Sequence, residues 1–220
     1  MAGRFVVFDG PDGCGKSTQL QRFADHLADH GVAVRTVRDP GGTEIGEQIR
    51  RILLDPAHEQ MDLRCEMLLY MASRAQLMAQ TIGPALRAGQ CVLTDRFICS
   101  TLAYQGAAGG LAERDILDVG RIALADRWPD LVILFDIDEQ TAARRLAGEG
   151  SGHPKFIHID QPTLFSDRIE IRGLDYQKRV RQGFLDQARA DPEHYLVIDA
   201  RPDPDTVFSQ LYLALKDRLG

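Results

Sequence analysis

Phe5-Val6-Val7-Phe8-Asp9-Gly10-Pro11-Asp12-Gly13-Cys14-Gly15-Lys16-Ser17-Thr18 carries four strand-forming residues into a glycine-rich turn and then into a helical pattern. Gly10 to Ser17 fit G-x-x-x-x-G-K-[ST], a spacing with a mechanism behind it. Glycines let successive backbone N–H groups turn inward around an anion, and the N-terminus of the next helix adds partial positive charge. Lys16 is then placed to reach outer phosphates, and the Ser17 hydroxyl to ligand Mg²⁺. Gly10, Pro11, Asp12, Gly13, Cys14, Gly15, Lys16, Ser17 and Thr18 form a candidate polyphosphate cradle. A glycine-rich turn without a ligand is the alternative, and the strand before and helix after weigh against it.

Beyond this motif the pattern alternates. Short β-branched or aromatic runs at 5–8, 32–37, 91–93, 131–135 and 195–198 read as strands. Helical spacing occupies 16–30, 44–54, 63–87, 113–125, 139–146, 168–189 and 205–219. Strands alternating with helices imply right-handed crossovers and a parallel sheet covered on both faces, an α/β fold. Such sheets bind ligands beyond the carboxyl ends of their strands, where Asp9, Arg38-Asp39 and Asp95-Arg96 stand. Residues 148–166, rich in Gly, Pro, His and polar residues, break the pattern and read as an exposed mobile loop.

The 220 residues suit one domain, 1–220. No apolar run approaches the ~20 residues a membrane span needs, so no membrane partner is expected. Net charge is −6, which argues against a nucleic-acid partner, because neutralising a phosphate backbone requires a basic face. A small anion is still allowed if cations gather locally. Cys14, Cys65, Cys91 and Cys99 form no C-x-x-C pair and read as free thiols of a reducing compartment. The first residues hold too short an apolar stretch for a signal peptide, so a cytoplasmic location is expected.

Two further groups are ambiguous alone. Asp95-Arg96-Phe97 with Ser100, then Tyr104-Gln105-Gly106, follows the third strand. Asp95 could hold Mg²⁺ directly or through water and Arg96 could fork onto a phosphate, or the two could be a capping or surface pair. Tyr70 and Arg74, four apart, share a helix face and could take a base and a polar group, or belong to an amphipathic core helix.

The glycine loop, Arg38-Asp39-Pro40-Gly41-Gly42-Thr43, Arg50, Tyr70…Arg74, Asp95-Arg96-Phe97…Ser100, Ala103-Tyr104-Gln105-Gly106, Pro129-Asp130-Leu131 and Asp167-Arg168-Ile169-Glu170 together resemble the bacterial thymidylate kinases, in the same order and over nearly the whole chain. The resemblance implies a five-stranded P-loop kinase fold with a mobile lid, approximately 144–170, and ATP-dependent phosphorylation of dTMP to dTDP by direct transfer, in a homodimer. It implies that Gly10 to Thr18 bind the ATP phosphates and that Ser17 and Asp95 serve Mg²⁺. Asp12 would reach the sugar 3′-hydroxyl, and Arg38, Arg50, Arg74 and Arg96 would surround the dTMP phosphate and base. Tyr70 takes the place of a family phenylalanine that stacks on thymine. Ser100 and Gln105 would hydrogen-bond the base, and Tyr104 would crowd the 2′ position.

Lys16, Asp95, Arg96 and Arg168 are the expected catalytic residues. Some family members carry a catalytic arginine directly after the position of Asp12; here Gly13 stands there, which points to a lid arginine, Arg168, with Arg144 or Arg145 in support. The lid also carries an extra stretch, 151–162. Its His153, His158 and Asp160 lack a convincing fourth metal ligand, and a metal-free loop is the favoured reading. Cys14 reads as a small loop filler, or as a thiol activated by the helix N-terminus. Rival functions are a deoxynucleoside kinase, which needs a carboxylate base, and a nucleotide-dependent switch without transfer.

Overall fold

The computed structural model describes residues 1–146 and 172–219. Strands β1 (Phe5–Asp9), β2 (Val34–Arg38), β3 (Cys91–Asp95), β4 (Leu131–Asp136) and β5 (Tyr195–Asp199) pair in parallel in the order β2-β3-β1-β4-β5. The register sets Val6 opposite Leu93 on one side and Leu131 on the other. Alternation along β1 then divides the core. Phe5 and Val7 join the cluster on one face, Val6 and Phe8 that on the other.

Helices α1 (Lys16–Asp29), α2 (Glu44–Leu54), α3 (Leu63–Leu77), α4 (Gly83–Arg87), α5 (Ile98–Thr101), α6 (Glu113–Leu124), α7 (Glu139–Leu146), α8 (Leu174–Ala190) and α9 (Pro204–Leu219) link and flank the strands. Met67 and Met71 of α3 and Val180 and Phe184 of α8 pack with Phe5; Leu20 and Phe23 of α1 and Leu211 of α9 pack with Phe8. The ring of Phe97 meets Phe5 edge-on at 4.9 Å, an arrangement that favours aromatic quadrupoles and fixes the backbone just beyond β3. Covered on both faces, the inner strands β1, β3 and β4 read as near-continuous apolar runs, whereas edge strand β2 is Val34-Arg35-Thr36-Val37-Arg38.

The helical reading of 63–87 holds over its whole length, with one change of hydrogen-bond register inside it. α3 stops at Leu77, a π-helical turn spans Met78–Ile82, and α4 follows. The backbone stays right-handed helical through both junctions, and Pro84, which has no N–H to give back to the preceding turn, stands directly after the wider π-turn. A second π-helix, Leu102–Ala108, runs on from α5 through a short segment in which Gly106 concealed it in the sequence. Of the expected lid, 144–146 belong to α7. Arg168, His153, His158, Asp160 and the loop 148–166 lie outside the described residues.

β1 is central, with β3 and β4 on either side, so the chain reverses its direction of travel across the sheet there. The crevice beyond its carboxyl end is the expected ligand position.

Candidate active site

The glycine loop closes between Asp9 and the first turn of α1. Gly10, Gly13 and Gly15 all have positive φ, at 143°, 79° and 87°. A Cβ on Gly10 would lie 2.5 Å from the Phe135 carbonyl oxygen, and one on Gly13 would lie 2.8 Å from that of Ala142. Only glycine fits where the loop passes so close to β4 and α7. α1 has no acidic residue in its first turn, so its N-terminal N–H groups face the loop without a competing carboxylate.

A cavity of about 250 Å³ opens beside this loop, lined by Asp12, Lys16 and Ser17 from the loop, by Arg38, Asp39, Arg50, Tyr70 and Arg74, and by Asp95, Arg96, Ser100, Tyr104 and Gln105. The cations that the negative net charge had made a condition are thus collected at one end of the sheet. Arg38 is held by both carboxylate oxygens of Glu47 at 3.0 and 3.1 Å, and Glu47 also accepts from the Gly42 N–H. Arg50 donates to the Pro40 carbonyl at 3.1 Å. Thr43 caps α2 by accepting from the Gly46 N–H at 3.0 Å, which fixes the helix carrying Glu47 and Arg50.

Arg96 is the centre of the charge network. It sits at φ 67°, a left-handed conformation rare for a non-glycine residue, directly after β3. Its guanidinium donates to Asp9 (3.1 Å), the Gly10 carbonyl (3.0 Å), Ser100 Oγ (3.0 Å) and Asp12, and lies 5.2 Å from the Tyr104 ring centroid. Asp9, fully buried, is satisfied in turn by Ser100, Cys99 and the Gly10 N–H. Asp12 also accepts from Lys16 at 3.4 Å and from the Tyr104 hydroxyl at 3.2 Å. Burial pushes the Asp12 carboxyl up, but Arg96 and Lys16 outweigh it and hold it well below the ordinary carboxylate range. Burial and Arg96 both pull Lys16 down; its anionic neighbours, Asp12 first, outweigh them and raise it. Both loop groups are therefore fully charged at neutral pH.

Ser17 Oγ donates to Asp95 Oδ2 at 2.5 Å, which puts two hard oxygen donors together at the mouth of the loop. Arg74, 1% exposed, lies across the cavity floor. Its Nε and Nη2 both reach Asp39 Oδ2, at 2.7 and 2.6 Å, and its charge sits 5.1 Å from the Phe97 ring centroid. Burial pushes Asp39 up despite Arg74, so the pair is chiefly a device for placing the guanidinium rather than a source of stability. Gln105 Nε2 donates to buried Glu66 Oε1 at 2.7 Å, and Arg172 donates to Glu66 Oε2 at 2.7 Å.

Two sequence readings resolve here. Cys14 is buried, and burial raises its thiol, so it fills the loop and is not an activated nucleophile. Arg145 donates to the carbonyls of Ala200, Arg201 and Pro202, which ties α7 to the loop after β5 and leaves it unsuited to a moving lid cation. Among the described residues Arg144 donates locally, to Thr141 at 3.1 Å. Asp9 was marked by its place at the end of β1, whereas Glu47, Glu66 and Arg172 also support the cavity through partners up to 106 positions away, and no local spacing announces them.

The sequence profile of the thymidylate kinase family matches residues 8–211. Thymidylate kinase of Deinococcus radiodurans is 40% identical over 216 residues, covering 98% of this chain and 98% of that protein. That of Desulforapulum autotrophicum is 39% identical over 216 residues, covering 98% and 92%. The crystal structure of thymidylate kinase from Ehrlichia chaffeensis superposes with a TM-score of 0.74 at 27% identity, covering 98% of this chain and all of that one. With the five-stranded parallel sheet, the glycine loop and the cationic cavity in place, the chain belongs to the thymidylate kinase family.

Proposed function

We propose that the glycine loop holds the ATP phosphates and the adjoining cavity holds dTMP, with the phosphoryl group passing directly between them. The reaction is that of a thymidylate kinase: ATP and dTMP give ADP and dTDP. The observation that carries the site assignment is Asp12. It stands in the loop and bonds both Lys16, on the donor side, and Arg96, on the acceptor side, so the two sites share one charged junction.

The attacking group is a phosphate oxygen with a second pKa of ~6, already largely ionised at neutral pH. No general base is needed, and Asp12, bound by two cations and held below its usual range, would be a poor one. This counts against a deoxynucleoside kinase, whose acceptor is a neutral hydroxyl. What remains to be supplied is alignment and positive charge. Lys16 and the loop N–H groups take the donor phosphates; Arg38, Arg50 and Arg96 take the acceptor phosphate; Tyr70 stacks on the base over Arg74, with Ser100 and Gln105 at its edge and Tyr104 beside the sugar. The Ser17 and Asp95 oxygens fit Mg²⁺, a hard cation that keeps several waters and takes few protein ligands. When bound there, the ion neutralises charge on the ATP phosphates. Gly13 leaves no room for an arginine in the loop, and Arg168 is our candidate for the cation over the transferring group.

With ATP made chiral at its γ-phosphorus by oxygen isotopes, one direct displacement inverts configuration in dTDP. Retention would require a phosphorylated enzyme and would overturn the direct route.

We further read 1–220 as one domain on this one sheet, cytoplasmic in keeping with four free thiols, and working as a homodimer. No helix among the described residues is long and apolar enough to cross a membrane. α3 packs beside both α2 and α6. Exposed Ile45 and Ile52 on α2, Leu68 on α3 and Ile122 on α6, the last 83% exposed, support pairing through this group of helices. Sedimentation at twice 24.5 kDa, falling to the monomer in Leu68→Glu, is the expected result; a monomeric native chain would refute it.

A further inference from the structure

We propose that Glu66 and Arg172 are positioning residues that fix which end of the Gln105 amide faces the acceptor base. They thereby select a pyrimidine whose N3 carries hydrogen over one whose N3 is a bare acceptor. The inference rests on reading the cavity as the nucleotide acceptor site.

An amide can present either its carbonyl or its NH₂ to a ligand, and the two ends are nearly the same shape. In this chain the choice is made from behind. Glu66 is fully buried and divides its two oxygens: Oε1 accepts from Gln105 Nε2 and Oε2 from Arg172 Nη2, each at 2.7 Å. A carboxylate only accepts, so the NH₂ end of Gln105 must turn to it, which leaves Gln105 Oε1 as the amide's acceptor toward the cavity. Arg172 is itself fixed. Its Nη1 donates to the Tyr176 hydroxyl at 2.6 Å, its charge lies 4.9 Å from the Tyr176 ring centroid, and the Tyr176 hydroxyl donates to the backbone carbonyl of Tyr104, the neighbour of Gln105, at 2.6 Å. α8 and the π-helix are thereby tied around one carboxylate.

Thymine and uracil offer N3–H, which suits a carbonyl. Cytosine offers a bare N3 lone pair, which faces the same carbonyl with no proton between them. A buried pair of acceptors is costly, so the arrangement rejects cytosine without touching its amino group.

Glu66→Gln makes a sharp test. Arg172 claims the new residue's carbonyl, its NH₂ then faces Gln105, and Gln105 must turn its own carbonyl back and show NH₂ to the base. The ratio of kcat/KM for dTMP over dCMP is expected to fall by about 10–100-fold, through a loss on dTMP and a gain on dCMP. The dTMP to dUMP ratio stays unchanged, since both carry N3–H. Arg172→Met is expected to lower the dTMP to dCMP ratio by a smaller factor, with KM changed more than kcat, and Arg172→Lys to restore it.

Equal losses on dTMP and dCMP in Glu66→Gln would mean a merely structural role and overturn the proposal. If Glu66→Gln does not fold, an unchanged ratio in Arg172→Met overturns it instead. Gln105→Ala separates the two readings. If it leaves the dTMP to dCMP ratio intact, the assignment of the cavity to the base has failed. If it lowers that ratio while Glu66→Gln does not, only the positioning role has failed.

Discussion

Arg96→Ala is expected to lower dTMP-dependent ADP release by about 10³–10⁵-fold, the range seen when a transition-state arginine is removed from phosphoryl-transfer sites. The reason lies in how many groups this one side chain organises. Without it Asp12 loses its shorter ion pair, Ser100 and Tyr104 lose a donor, and Asp9 is left fully buried without its cation, facing Ser100, Cys99 and the Gly10 N–H. Breaking a buried pair from one side typically costs about 3–5 kcal/mol, so the thermal midpoint should fall as well. Arg96→Lys separates the two effects. It keeps a charge near Asp9 but not a planar fork, so most of the stability is expected to return and little of the rate. Full activity in the lysine variant would show that Arg96 acts as a structural counterion only.

Lys16→Ala is expected to cost about 10²–10³-fold in kcat, as for loss of one preorganised electrostatic contact to the reacting group, and to leave the fold intact. The contrast with Arg96 follows from the geometry. Lys16 meets Asp12 at 3.4 Å, and that carboxylate keeps Arg96 when the lysine is gone. Stability should therefore change little while chemistry collapses, with dTMP affinity, measured by calorimetry without ATP, close to the native value. A large loss of dTMP affinity would place Lys16 on the acceptor side and reverse the division of the site.

Much of this was legible because it is local. The strand, the glycine turn and the helix from Phe5 onward are decided by adjacent residues, and so are the ends of α2, where Thr43 caps within its own turn. The π-turn inside the helix of 63–87 was harder, since apolar spacing continues through Met78 and Ile82 and only Pro84 hints at a change of register. Leu102–Ala108 hid because Gly106 and the short run gave no apolar periodicity, although its leucine and alanines are good helix formers; it packs against α8. Among the site residues, Arg74 shows the limit most clearly. Its spacing from Tyr70 placed it on the correct face, but its commitment to Asp39 depends on the loop after β2, which no periodicity on α3 could reveal. Glu66 and Arg172 are a stronger case: a glutamate in the first turn of a helix reads as a solvated dipole partner, and its burial comes wholly from long-range packing.

The most direct measurement is a coupled ADP-release assay with ATP and Mg²⁺ and a panel of acceptors: dTMP, dUMP, dCMP, dGMP, AMP and thymidine. The expected outcome is turnover with dTMP well above every other acceptor, dUMP second, and thymidine inert because it brings no ionised phosphate oxygen and the cavity carboxylates Asp12, Asp39 and Asp95 are committed to Arg96, Arg74 and Ser17. Thymidine turnover exceeding that of dTMP, or equal use of dTMP and dCMP, would contradict the reading of this cavity.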